Sequence, residues 1–152
     1  MRVRPASTFR KSALTQSLAA AFVLTVAATA AFAEDVRLSL SGDHEVPPVS
    51  TMATATGVIS VNTDKSVSGA VTTNGIAATM AHIHYGKVAT NGPVLIGLVK
   101  NGDNVWRVPD GAKLTDEQYG AFKAGDLYVN VHSAEHKGGE IRAQMMPAAA
   151  AK

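Results

Sequence analysis

The stretch LYVNVHS, residues 127–133, alternates apolar and polar side chains. Because successive side chains of a β-strand point to opposite faces, this period of two predicts a strand with one apolar face. The residues predicted to face the core are Leu127, Val129 and Val131. The opposite face carries Tyr128, Asn130 and His132.

The same alternation recurs along most of the chain and is separated by short segments rich in Gly, Asn and Asp. The strand candidates are residues 36–40, 57–61, 67–71, 78–85, 127–133 and 140–146. Short strands at turn-punctuated intervals are typical of all-β folds rather than α/β folds. The pattern therefore predicts an antiparallel, Greek-key-like β-sandwich with one short helix.

Residues 94–99, VLIGLV, are apolar at both faces of a strand. A run of this kind, after the turn that ends at Pro93, predicts a buried central strand. We expect Trp106 to pack nearby.

The predicted helix lies in residues 114–125. Thr115 can cap its first turn, and Gln118, three residues later, is the capping-box partner. Leu114 can pack on Tyr119 as a hydrophobic staple, and Gly125 is placed to end the helix. We interpret this helix as a structural lid on one end of the sandwich.

The N-terminus has the layout of a secretory signal peptide. Four basic residues in the first eleven precede an uncharged run of residues 17–32, which ends in a small-x-small cleavage site at residues 31–33. We expect cleavage after Ala33, a domain over residues 34–147, a frayed tail at 148–152 and a periplasmic or secreted location. The alternative is an uncleaved N-terminal anchor.

Removal of residues 1–33 leaves 119 residues, which suits one domain, with ten basic and twelve acidic side chains and a net charge of −2. Nucleic acid is not an expected partner, because the remaining basic residues are scattered singly. The chain contains no cysteine. Disulfides and thiolate ligands are therefore excluded, and soft-metal binding would have to use His and Met.

The sequence MAHIHYG, residues 80–86, places two of the five histidines two positions apart. On a strand, His82 and His84 share a face, and His132 lies on the polar face of another strand. If these strands are neighbours, three imidazoles converge, and neutral imidazole suits copper and zinc. We predict a metal site of His82, His84 and His132, and we favour copper over zinc.

Other polar residues have predicted supporting roles. Glu45 is expected to accept backbone hydrogen bonds in the turn before Pro47, and Asn130 to hold an imidazole by hydrogen bond. Glu140 and Arg142, two residues apart on one strand face, are expected to form an ion pair or to orient the ligands. The sequence leaves open whether further side chains contribute to the site: His44, Glu45, His136, Met80, Met145 and Met146.

Several blocks of the chain, in order, resemble the CHRD domain family, which is named from chordin and common in secreted bacterial proteins. The blocks are LSGDHEVPPV (40–49), Gly57, AHIHYG (81–86), GPV (92–94), LYVNVHS (127–133) and GEIR (139–142). The resemblance implies a β-sandwich and does not supply a settled biochemical activity. His44 and the segment AQMM, residues 143–146, depart from the pattern of the family.

A looser likeness is to the copper/zinc superoxide dismutases. AHIH, residues 81–84, is similar to their copper-binding strand, and His132 to a late copper ligand. That family also needs a fourth copper ligand, a bridging histidine and a zinc site with Asp, whereas only His44 and His136 remain here.

Three functions stay open at this point. The first is metal binding, buffering or delivery, and the second is a metal-independent module that binds an extracytoplasmic protein through a polar histidine face. The third is a copper-dependent oxidoreductase. Other enzyme classes have little support, since the chain has neither a Gly-x-Ser-x-Gly nucleophile elbow nor a cysteine.

Overall fold

The computed structural model describes residues 32–148, so most of the predicted signal peptide and tail lie outside it. Its strands are β1 (Ala33–Ser41), β2 (Thr54–Asn62), β3 (Val67–Asn74), β4 (Ala78–Tyr85), β5 (Val94–Gly97), β6 (Val99–Lys100), β7 (Val105–Arg107), β8 (Leu127–Ser133) and β9 (Ile141–Met145). One α-helix, α1 (Asp116–Ala124), lies between β7 and β8, and a single 3₁₀ turn (Gly42–His44) follows β1. The predicted all-β fold with one short helix is confirmed.

All strands belong to one antiparallel sheet in the order β5-β4-β8-β9-β1-β2-β3-β7-β6. The sheet is nearly closed, because the segment 94–100 pairs with β4 through β5 and with β7 through β6. Between these strands, the Leu98 N–H donates to the Ala81 carbonyl at 2.8 Å. The sheet therefore folds over a single core.

The core contains the apolar faces that the alternation predicts. Val36, Leu38 and Leu40 of β1 are buried, as are Leu127, Val129 and Val131 of β8. These strands stabilise the fold by removing their core-facing apolar side chains from water.

The prediction of a buried central strand at residues 94–99 is wrong. β5 and β6 lie at the two edges of the sheet, and Val94 and Val99 are 51% and 40% exposed. Ile96 and Leu98 are buried in the core and Leu95 is partly buried against it, because the chain here crosses from one edge of the sheet to the other. Trp106 is buried and pairs with Lys100 across β6 and β7, as expected.

Helix α1 begins and ends as predicted. The Thr115 hydroxyl accepts from the Gln118 N–H at 3.2 Å, and the Gln118 side chain accepts from the Thr115 N–H at 2.9 Å. Gly125 has φ 78°, the left-handed conformation that glycine adopts without strain. Phe122 is fully buried and attaches the helix to the core.

The outer face of the sheet is unusual at β8. This strand lies between β4 and β9, and all seven of its residues are buried. Its outward side chains are therefore covered as well as its core-facing ones. No helix within residues 32–148 is long and apolar enough to cross a membrane.

Candidate metal centre

Three imidazoles meet on the outer face of β4 and β8. His82 and His84 lie on β4, and His132 on β8 lies two residue pairs beyond His82 along the shared ladder. One nitrogen from each ring can be chosen so that all three lie within 4.8 Å of one another. The His82 Nδ1 and His132 Nε2 atoms are 2.9 Å apart. The structure thus brings together the three predicted site residues.

The size of the cluster fits one transition-metal ion. Two nitrogens that each lie 2.0–2.1 Å from the same ion can be no more than about 4.2 Å apart. In trigonal or tetrahedral geometry the nitrogens would be about 3.4–3.6 Å apart, so a pair at the upper bound of 4.8 Å would have to close by roughly 1.2–1.4 Å. A side-chain rotation can supply such a movement.

Two of the rings are held in one tautomer by backbone carbonyls. Nδ1 of His84 donates to the Gly92 carbonyl at 2.9 Å, and Nδ1 of His132 donates to the Lys137 carbonyl at 2.9 Å. Because a carbonyl only accepts, Nδ1 carries the proton, and Nε2 of each neutral ring is an acceptor. Metal-binding histidines usually have a second contact of this kind.

The third ring completes a hydrogen-bonded pair. His132 Nε2 is an acceptor, so His82 Nδ1 donates to it across the 2.9 Å contact. An ion between these two nitrogens would replace that proton, and His82 would then carry its proton on Nε2. His82 is partly exposed, whereas His84 and His132 are buried.

The three imidazoles favour the neutral form. Burial lowers the pKa of His82, His84 and His132 from the usual value of 6.5, and the neighbouring histidines add to the effect at His82. The carbonyl contacts of His84 and His132 oppose this without reversing it. Metal ligation requires neutral imidazole, so a metal ion has little proton competition at neutral pH.

An aromatic and cationic wall supports His84. Its ring lies parallel to that of Tyr128, and the Arg142 guanidinium carbon lies 3.4 Å from the Tyr128 ring centroid. The Gly92 N–H donates to the Tyr128 hydroxyl at 3.2 Å. The backbone carbonyl of Gly92 therefore holds the histidine, and its N–H holds the tyrosine.

Arg142 does not form the predicted ion pair with Glu140. Its guanidinium donates to the Asn91 side chain, the Lys87 carbonyl and the Gln144 side chain, each at 3.3 Å. Glu140 instead accepts from the Thr51 hydroxyl at 2.8 Å. The reason is that the segment after β4 covers this face and supplies oxygen atoms to the arginine.

Asn130 was predicted to hold an imidazole by hydrogen bond, and it forms no such hydrogen bond. Its Nδ2 is 3.5 Å from the Gly138 carbonyl, and its Oδ1 is buried without a hydrogen-bond partner. The amide lies close enough to favour the charged form of His84, but the contact falls short of hydrogen-bond geometry.

Glu45 is 5% exposed and lies outside the histidine cluster. Burial raises the pKa of its carboxyl, while the charge of Arg142 and the Val46 N–H oppose the rise. The Val46 contact agrees with the expected role in the turn. Its Oε1 has no hydrogen-bond partner.

The other residues that the sequence left open are also placed. His44 Nδ1 lies 3.3 Å from the Arg142 carbonyl, and His136 is half-buried in the loop before β9. Met145 is fully buried in the core, and Met146 is exposed.

Met80 is 45% exposed and is the cross-strand partner of His132. Of the six open residues, Met80 alone is a direct cross-strand or same-face neighbour of a cluster histidine.

Sequence reasoning missed the parts of the site that loops supply. The carbonyls of Gly92 and Lys137 have no side-chain signal. Gly139, in contrast, is marked in the sequence, because it is the second of two adjacent glycines in a loop. Its φ is 132°, and a Cβ there would overlap Glu45 Oε1 and lie 2.7 Å from Asn130 Nδ2.

A separate cleft of about 560 Å³ opens beside the β1 and β9 strands. Glu45 and Arg142 line it, together with apolar side chains such as Val88 and Met146, but none of the three histidines does. This cleft is therefore separate from the histidine cluster.

Comparison with known proteins gives one match. No curated protein and no solved structure matches the chain. The family model of the CHRD domain matches residues 36–145, which include β2 to β8 and the whole histidine cluster. On that match, which covers most of the sequence and agrees with the motifs in it, the chain belongs to the CHRD domain family.

Proposed function

We propose that this CHRD domain binds one copper ion through His82, His84 and His132, and that it serves in metal binding, buffering or delivery. The observation that carries the proposal is His84 Nε2. This nitrogen is buried without a hydrogen-bond partner, while Nδ1 of the same ring is fixed by Gly92.

A buried lone pair without a partner is costly. Leaving such an acceptor unsatisfied destabilises a protein by about 1–3 kcal/mol. An ion bound between His84 and His132 would satisfy this nitrogen and use both fixed tautomers. A polar strand face with no ligand would leave the cost without compensation.

The donor set favours copper over zinc. The cluster consists of imidazoles alone, and the chain has no cysteine to supply a thiolate. For the same nitrogen donors, divalent copper binds more tightly than divalent zinc. Met80, next to His132 across the strands, offers a thioether of the kind that suits Cu(I).

The exposure of the cluster suits exchange of the ion. His84 and His132 are buried, whereas His82 is partly exposed. An ion could therefore enter and leave on the His82 side while two ligands stay fixed. This asymmetry supports buffering or delivery rather than permanent structural binding.

The domain would carry out this role outside the cytoplasm. The support is the signal-peptide pattern of residues 1–33 and the resemblance of the domain to secreted proteins. Cleavage after Ala33 would leave β1 intact from Glu34 onward. Intact-mass measurement of the exported protein tests this, and a mass that retains residues 1–33 contradicts it.

Competition titration tests the metal site. Affinity for Cu(II), Cu(I) and Zn(II) is measured for the wild-type protein and for His82→Ala, His84→Ala and His132→Ala. His136→Ala is the control, because it removes a histidine outside the cluster. We expect one ion per chain, and a loss of at least about 100-fold in copper affinity for the three cluster variants only.

Equal affinity in all five proteins would refute the site. The histidine face would then be a polar surface, and the metal-independent interaction module would become the leading function. Circular dichroism of each metal-free variant confirms that a loss of binding is not a loss of fold.

A further inference from the structure

Asn130 lies at the centre of the polar face that carries the histidines. It is the cross-strand partner of His82 on one side and of Arg142 on the other. On its own strand, it lies between Tyr128 and His132 on the same face. It is 2% exposed, so its amide must be paired within the protein or with a bound species.

The surroundings fix the orientation of this amide. Nδ2 faces the Gly138 carbonyl at 3.5 Å. Glu45 Oε1 lies on the same side of the amide, since a Cβ on Gly139 would contact both this oxygen and Nδ2. Because an N–H donor belongs beside these oxygens, Oδ1 is the atom of the amide that is turned away from them.

Asn130 and His84 are diagonal neighbours on one buried face, because Tyr128, the cross-strand partner of His84, lies two residues before Asn130. Asn130 Oδ1 and His84 Nε2 both lack a hydrogen-bond partner, and neither carries a hydrogen in the neutral state. Close acceptors without a donor repel each other, and each loses its contact with water. A cation placed between them would satisfy both.

We propose, building on the copper site above, that Asn130 Oδ1 is a fourth ligand and makes the site selective for Cu(II) over Cu(I). An amide oxygen is a hard donor that stabilises a divalent ion and contributes little to Cu(I), which prefers thioether and imidazole. Glu45 Oε1 lies on the Nδ2 side of the amide and leaves Oδ1 unpartnered. Gly139 is the residue that allows these two side chains to meet.

The test compares Cu(II) and Cu(I) affinity, each measured by competition, in the wild-type protein and in Asn130→Ala and Asn130→Asp. Asn101→Ala is the control, because Asn101 is exposed in the loop after β6. We expect Asn130→Ala to weaken Cu(II) binding by about 10- to 100-fold and Cu(I) binding by less than about threefold. Asn130→Asp, which keeps the shape and supplies a carboxylate oxygen, should raise the ratio of Cu(II) to Cu(I) affinity by about tenfold.

The outcomes separate this inference from the proposed function. Suppose that the wild-type protein binds copper and that the Asn130 variants bind it equally well, or lose affinity equally for both oxidation states. Either result overturns the inference and leaves the three-histidine site standing. A wild-type protein that binds neither ion overturns both. If Asn130→Ala does not fold, the Asn130→Asp ratio decides, and an unchanged ratio overturns the inference.

Discussion

The imidazole of His84 lies flat against the phenol ring of Tyr128, with 8° between the ring planes and 4.8 Å between the centroids. Arg142 contacts the same tyrosine ring from β9, on the other side of β8 from His84. A stack of imidazole, phenol and guanidinium thus crosses three strands. It connects the histidine cluster on β4 and β8 to Arg142 on β9.

This stack predicts different effects for two substitutions of Tyr128. Tyr128→Phe keeps the ring beside His84 and loses only the contact from the Gly92 N–H. Tyr128→Leu loses the stacking as well, and we expect it to lower the free energy of unfolding by about 1–3 kcal/mol and copper affinity by about tenfold. The exposed Tyr85, changed to Leu, is the control. Equal copper affinity in the Phe and Leu variants would show that the stack does not position His84.

The metal-free protein should lose stability as the pH falls below about 6.5. Burial lowers the pKa of His82, His84 and His132, so the unfolded chain binds protons at a higher pH than the folded protein. In that window, the unfolded state holds more protons, and the free energy of unfolding decreases as the pH decreases. Urea midpoints between pH 7.5 and 5 measure the effect.

Glu45 changes the stability in the opposite direction as the pH falls, so its contribution must be removed in a control. Burial raises the pKa of its carboxyl above 4.5, so the folded state takes up a proton first and gains stability as the pH falls. The titration is therefore repeated with Glu45→Gln, which removes this group. Midpoints that stay constant from pH 7.5 to 5 in the Gln variant would contradict the lowered histidine pKa values.

Two adjacent glycines provide a matched pair of variants. Gly139→Ala places a Cβ at φ 132° against Glu45 and Asn130, and we expect it to destabilise the protein by more than about 1 kcal/mol. Gly138→Ala meets nothing within 4 Å and should change stability by less than about 0.5 kcal/mol. Urea denaturation compares the two. Similar midpoints for both variants would show that the loop can move away from Glu45.

The capping box of α1 can be tested independently of the metal site. Thr115→Ala removes the acceptor for the Gln118 N–H and should lower the free energy of unfolding by about 1 kcal/mol. Thr115→Ser keeps the hydroxyl and should recover most of this. Copper affinity should be unchanged in both variants. A fall in copper affinity with Thr115→Ala would mean that the helix is coupled to the histidine cluster.

Alternation in the sequence was sufficient to predict which residues share a face. His82 and His84 lie on one face of β4, and Val129 and Val131 of β8 are in the core, because the period of two is a property of the extended backbone itself. The helix cap was predictable because it too is local: Thr115 and Gln118 interact at a separation of three residues.

The order of the strands was not predictable in this way. That β8 lies between β4 and β9 depends on contacts between residues far apart in the sequence. The apolar run at 94–99 shows the limit, since apolar residues on both faces of a strand do not require burial of both faces. The contacts that fix His84 and His132 come from loop carbonyls, which every residue has and no side-chain pattern marks.

Anomalous diffraction at the copper edge from crystals of the copper-loaded protein is the most direct test of the central claim. The account predicts one strong peak per chain, about 2.0–2.1 Å from His82 Nδ1, His84 Nε2 and His132 Nε2. Under the further inference, Asn130 Oδ1 would be the fourth atom bound to it. A peak at His44 or His136, or no peak among the three imidazoles, would contradict the account.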